Sequence, residues 1–183
     1  MLYIALLHYP VYNKEGRIVT TAIANMDIHD IARAAKTYGV EGFYIVNPIK
    51  EQRQLALSIM KHWQEGYGAQ FNQSRQAAFA MVRVKDNLAE VKEEIASAAG
   101  SEPCTVVTGA NFREGLLTCC LLKEKIRNDK LPYLLIFGTG SGIAEEIISQ
   151  ADYLLEPIKG AGNYNHLSVR SAAAIILDRI CGQ

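Results

Sequence analysis

Leu134-Leu135-Ile136-Phe137-Gly138-Thr139-Gly140-Ser141-Gly142 is the stretch on which the fold turns. Four bulky apolar residues in a row suit a strand buried on both faces. The glycines that follow let backbone amides and carbonyls approach a ligand closely. After a strand, such a turn opens a Rossmann dinucleotide site when an acidic ribose-binding residue stands on the next strand and more strand–helix units follow. Here, beyond the short helix that the turn opens, only a short strand and one helix come after it. No Gly-Lys-Ser/Thr follows either, which removes a P-loop. The loop has the chemistry of a nucleotide site in an unusual position.

Outward from that strand the pattern alternates. Residues 2–8 read as a first strand, 43–46 as a second closed by Asn47-Pro48, 79–84 as a third and 104–108 as a fourth. Residues 133–137 make the fifth and 153–155 a short last one. Apolar spacing predicts helices over 27–38, 51–65, 88–99 and 113–127, a short one ending near 150, and a final one over 166–180. Asn87, with Glu90 three residues on, has the form of a capping box. Strands joined by single helices imply a parallel sheet with helices on both faces, in one α/β domain spanning 1–183.

The composition, 49% hydrophobic and 21% charged, is that of an ordinary globular protein. Nineteen Lys and Arg balance nineteen Asp and Glu, so any affinity for nucleic acid needs basic side chains gathered on one face. No apolar run reaches the ~18–20 residues of a membrane span, and residues 1–7 read as a strand rather than a signal peptide. The cytoplasm is the expected compartment, and no membrane partner is expected. Cys104, Cys119, Cys120 and Cys181 form no Cys-x-x-Cys pair and are expected to be small buried hydrophobes. His8, His29, His62 and His166 are scattered, so no metal site is expected.

Ligands of open parallel sheets bind beyond the carboxyl ends of the strands. Three loops there are unusual: Thr108-Gly109-Ala110-Asn111, the glycine turn 138–142, and Glu156-Pro157-Ile158-Lys159-Gly160-Ala161-Gly162-Asn163-Tyr164-Asn165. The last fifty or so residues resemble the SPOUT (α/β-knot) RNA methyltransferases, which place a glycine turn after a late strand. They then have a Pro-hydrophobic-x-Gly loop, matched by Leu155-Glu156-Pro157-Ile158-Lys159-Gly160. An Asn/Ser/Leu cluster opens their alanine-rich last helix, matched by residues 165–174. More loosely, residues 25–35, with Asn25 ahead of a helix bearing Arg33, resemble the family's first motif.

The resemblance implies a C-terminal trefoil knot and a pocket for S-adenosyl-L-methionine (SAM), with S-adenosylhomocysteine (SAH) as product. It puts cofactor contacts at Thr108, Gly109, Gly138, Gly140, Leu155, Pro157, Ile158, Asn165, Leu167 and Ser168. It makes Arg33 the residue that orients RNA and helps activate its nucleophile, with Asn25 fixing that arginine or a phosphate. The expected substrate is tRNA or rRNA, methylated on a ribose 2′-OH or a base nitrogen, and the expected assembly is a homodimer through the C-terminal helix. Two other readings stay open: a non-catalytic knotted RNA-binding protein, and an unrelated nucleotide-binding α/β enzyme. From the residues alone, Asp27 and Asp30 suit a helix N-terminus, while Arg170 and Lys159 suit either phosphates or the solvated surface. Asn165 and Ser168 also suit helix capping. Trp63, Tyr67, Phe71 and Arg75 are of the kinds that stack on bases, although core packing explains Trp63 and Phe71 as well.

Overall fold

The computed structural model describes residues 1–162 and 164–183. Seven parallel strands form one sheet, in the order β5 (Val82–Lys85), β4 (Gly42–Val46), β1 (Leu2–Leu7), β8 (Tyr133–Gly138), β6 (Cys104–Val107), β9 (Tyr153–Leu155), β7 (Leu116–Leu117). A separate antiparallel pair, β2 (Val11–Tyr12) and β3 (Ile18–Val19), lies in the loop after β1.

Side chains alternate across a strand, and here that alternation builds two cores. Leu2, Ile4 and Leu6 of β1, with Tyr133, Leu135 and Phe137 of β8, face the larger one. That side is covered by α1 (Asn25–Thr37), α2 (Lys50–Gln64), α4 (Gln73–Phe79), α6 (Cys119–Asn128) and α8 (Val169–Cys181). Tyr3, Ala5 and Leu7, with Leu134 and Ile136, face a smaller core covered by α5 (Leu88–Ala99) and α7 (Glu145–Ile148). The expected parallel sheet covered on both faces is present. The Asn87 cap is present too: the Glu90 amide donates to Asn87 Oδ1 at 3.0 Å, while the Glu90 carboxylate accepts from Asn87 Nδ2 at 3.2 Å and from the Asp86 amide at 3.4 Å, in place of the Asn87 amide of a full capping box.

Four expectations need correction. The helix expected over 113–127 starts only at Cys119, capped by the Thr118 hydroxyl; Leu116 and Leu117 instead pair with Leu154 and Leu155 of β9. An open strand edge beside two leucines outweighs their helix propensity. The strand expected from Phe79 begins at Val82, because Phe79 closes α4, and α3 (Tyr67–Phe71) precedes that helix. The last helix begins at Val169 rather than His166, with Ser168 as its cap. Of the cysteines only Cys119 is buried, and Cys120 is exposed on the outer side of α6.

One feature of the order positions the site. β6 and β7 are consecutive in the chain, yet β9 lies between them and is bonded to both. Residues 108–115 therefore span the width of β9 at its carboxyl end. The chain leaving β9 is held against β7 and the start of α6: the Glu156 amide donates to the Leu117 carbonyl at 3.0 Å, and the Cys119 amide donates to Glu156 Oε1 at 2.8 Å.

Candidate active site

The three loops lie at the carboxyl ends of neighbouring strands β8, β6 and β9, so the fold brings them together. Asn165 Nδ2 donates to the Ala110 carbonyl at 3.4 Å, a long bond that joins the third loop to the first. Asn163, part of the third loop, lies outside the described residues.

The glycine turn is built against its own chain. The Ser141 amide donates to the Tyr12 carbonyl at 2.8 Å, and the Tyr12 amide donates to the Gly142 carbonyl at 2.8 Å. A Cβ on Gly138 would stand 2.4 Å from Ile143 Cγ1. Gly140 has a φ of +62°, and a Cβ there would stand 2.7 Å from the Tyr12 carbonyl oxygen. Glycine is thus required at both places by the protein's own packing, whatever the loop binds.

Thr108 donates its hydroxyl to the Ile136 carbonyl at 3.0 Å, and Gly109 lies under the Phe112 ring. Leu155 is buried, and Pro157 and Ile158 are half-buried. Asn165, Leu167 and Ser168 are exposed, and the Ser168 hydroxyl caps α8 by accepting from the Ser171 amide at 3.3 Å.

Arg33 and Asn25 stand on α1, which meets the start of α8 through ion pairs. Arg170 Nη1 lies 3.0 Å from Asp27 Oδ1, and its Nε lies 3.5 Å from Asp30 Oδ2. Asp27 and Asp30 therefore tie two helices together, and Arg170 is committed to them rather than to phosphate. Arg33 stays exposed, 4.0 Å from Asp30. Asn25 cannot fix it: eight residues of helix separate them by roughly 12 Å along the axis.

A polar cluster beneath the glycine turn escaped the sequence reading. His8 follows β1, is 1% exposed, and shares a 3.0 Å hydrogen bond between its Nδ1 and the Thr21 hydroxyl. Thr21 Oγ1 lies 2.5 Å from Thr139 Oγ1 in the turn, and the Thr21 carbonyl accepts from buried Asn47 at 3.1 Å. His8 Nε2 has no partner among the described residues, and burial lowers the His8 pKa to about 4. Neutral His8 and two hydroxyls thus anchor the turn to β1. The available signal was a polar residue ending each of two wholly apolar runs, His8 after 2–7 and Asn47 after 43–46.

The surroundings fit SAM better than a phosphorylated nucleotide. α7, directly after the glycine turn, opens with the exposed carboxylates Glu145 and Glu146. They would repel a diphosphate but not a sulfonium cation. Around Gly160 the nearest atom to a hypothetical Cβ is the Tyr164 carbonyl oxygen at 3.9 Å, which leaves backbone accessible to an adenosine. Among the described residues, no group of three or more His, Cys, Asp or Glu is placed to hold a metal ion. None of the described helices is long and apolar enough to cross a membrane.

Fold and site together define a parallel α/β domain with three glycine-bearing loops gathered at the carboxyl ends of late strands. Residues 1–182 match the model of a family described as SAM-dependent RNA methyltransferase. An uncharacterized protein of Aquifex aeolicus is 41% identical over 179 residues, covering 98% of this chain and 87% of that protein. A protein of Oleidesulfovibrio alaskensis named tRNA (guanine-N(1)-)-methyltransferase is 41% identical over 184 residues, and the match covers 99% of this chain but 42% of that protein. In structure, the SpoU methyltransferase AviRb from Streptomyces viridochromogenes, solved with AdoMet, aligns with a TM-score of 0.60 at 18% identity, over 99% of this chain and 56% of that one. The chain belongs to the SAM-dependent RNA methyltransferase family.

Proposed function

We propose that this chain transfers a methyl group from SAM to a ribose 2′-OH or a base nitrogen of tRNA or rRNA in the cytoplasm. The observation that carries this reading is the convergence of three backbone-rich loops at adjacent strand ends in a chain that matches the family along its length. The name borne by the Oleidesulfovibrio relative favours tRNA, although this chain spans less than half of that protein.

The donor supplies an electrophilic methyl carbon bonded to a sulfonium. The acceptor oxygen or nitrogen forms a bond to that carbon as the carbon–sulfur bond breaks, the sulfur keeps the electron pair in SAH, and the acceptor's proton passes to a base or to water. The protein's task is chiefly in-line positioning. Residues 108–109, 138–140 and 155–158 hold the nucleoside by backbone groups and apolar walls, and Asn165 to Ser168 close the third loop over it. Arg33 orients the RNA and lowers the cost of charge on the nucleophile, while Asn25, at the exposed start of α1, meets phosphate.

The strand order supports a trefoil knot, in which residues 156–168 pass beneath the 108–115 connection. The exposure of residues 164–168 supports a homodimer through α8, in which the second copy covers this loop. Arg33→Ala should lower methyl transfer to total tRNA at least about 100-fold with SAM affinity unchanged. Mass spectrometry of the product nucleosides names the modified atom. Unchanged turnover in Arg33→Ala would remove that residue from the mechanism, and no affinity for SAM or SAH by calorimetry would end the reading.

A further inference from the structure

Residues 67–79 form two short helices, α3 and α4, that pack against α1 and α2 and carry an unusual outer surface. α3 carries Tyr67 and Phe71 one turn apart, with ring centroids 6.0 Å apart and planes within 19° of each other. The two residues are nevertheless 73% and 77% exposed. Two rings prearranged in parallel and left in water are poor core and a good stacking platform.

The chain then turns at Asn72, whose side chain caps α4 by accepting from the Arg75 amide at 3.0 Å. That turn forms one wall of a cleft of about 280 Å³ between α1 and α4, lined by Arg33, Lys36, Thr37, Asn72, Ser74 and Arg75. Among the described residues, three cations and no carboxylate line this hollow. The Arg75 guanidinium lies 4.3 Å from the centre of the Trp63 ring, which fixes its direction. In a chain with as many acids as bases, such a gathering is a local anion site.

We propose that the cleft and the adjoining aromatic pair bind a single-stranded stretch of RNA, with phosphates in the cleft and unpaired bases on Tyr67 and Phe71. This rests on the reading of the chain as an RNA methyltransferase and adds where its substrate lies. Cations beside exposed rings match a strand that offers charge and free base faces together. A duplex keeps its bases stacked inside, and an acidic peptide leaves the rings unused.

The test uses the full chain and a labelled, non-self-complementary single-stranded oligoribonucleotide, followed by fluorescence anisotropy. Tyr67→Ser/Phe71→Ser should weaken binding about tenfold or more, with melting temperature and SAM affinity unchanged. Lys36→Gln should flatten the log–log salt dependence by about 0.7, the contribution of one phosphate contact on a single strand. A blunt RNA duplex should bind more weakly and respond little to the aromatic substitutions. Undiminished single-strand binding in Tyr67→Ser/Phe71→Ser would overturn the proposal. So would a change in oligomeric state of that variant by sedimentation, which would make the rings a contact between copies. Failure of the methyltransferase reading shows separately, as absence of SAM binding or methyl transfer in the unsubstituted chain.

Discussion

Two glycine-bearing loops stand two strands apart at the same edge of the sheet, and the protein treats them differently. The turn 138–142 is held by Tyr12, Ile143 and the Thr21–Thr139 contact, with buried His8 behind it. The third loop is exposed at every described residue from 159 to 168. Similar composition therefore conceals one wall built during folding and another left for a ligand or a second copy to complete. A fixed wall lowers the ordering cost of binding, and an open one lets the ligand enter.

Substituting the glycines is the strongest way to break this contrast. Gly138→Val should destabilise the fold by about 3 kcal/mol or more, because its side chain must enter space held by Ile143. Gly160→Ala should change stability by less than about 0.5 kcal/mol, since its Cβ would meet only ordinary contact. Thermal melts of the two variants check both. Equal losses would mean that the third loop is as tightly built as the turn.

Acid should loosen the fixed wall through His8. Its folded pKa of about 4 lies below the unfolded value near 6.5, so the unfolded chain takes up the proton first. The stabilisation is complete above about pH 6.5 and is lost as pH falls towards 4, on the order of 2–3 kcal/mol over that window. Urea midpoints measured from pH 7 to 4.5 should fall accordingly, and His8→Asn should flatten that part of the profile. An unaltered slope in the variant would show that another group carries the dependence.

How much of this contrast was legible in the sequence follows from what each part depends on. β1, β4, β6, β8, β9 and α5 were legible because burial of apolar runs and the Asn87–Glu90 cap are local facts. The turn 138–142 was legible as a site, but its tie to Tyr12 and Thr21 was not, since those contacts join residues more than a hundred positions apart. Leu116 and Leu117 misled because their strand exists only beside β9. Arg170 was equally opaque: a basic residue in the first turn of a helix resembles a phosphate ligand until its two aspartates are seen on α1.

That last pair joins the third loop to the substrate side, because Arg170 stands two residues after Ser168. A double-mutant cycle on Asp27→Ala and Arg170→Ala should give a coupling of about 1 kcal/mol, since the pair is only partly shielded from water. Additive losses, measured by urea denaturation, would mean that the Asp27–Arg170 pair contributes nothing to the joint between α1 and α8.

The smallest effect sharpens the comparison most. Asn165 is exposed, and its one bond among the described residues is the 3.4 Å contact to the Ala110 carbonyl. Asn165→Ala should leave melting unchanged while weakening SAH binding about fivefold, the value of a single neutral hydrogen bond. In the unsubstituted chain, SAH should protect residues 159–168 from limited proteolysis and leave the already fixed 138–142 turn as resistant as before. If the ligand protected the turn and not the third loop, the closing wall would be the one the protein has already built, and the roles assigned to the two loops would have to be exchanged.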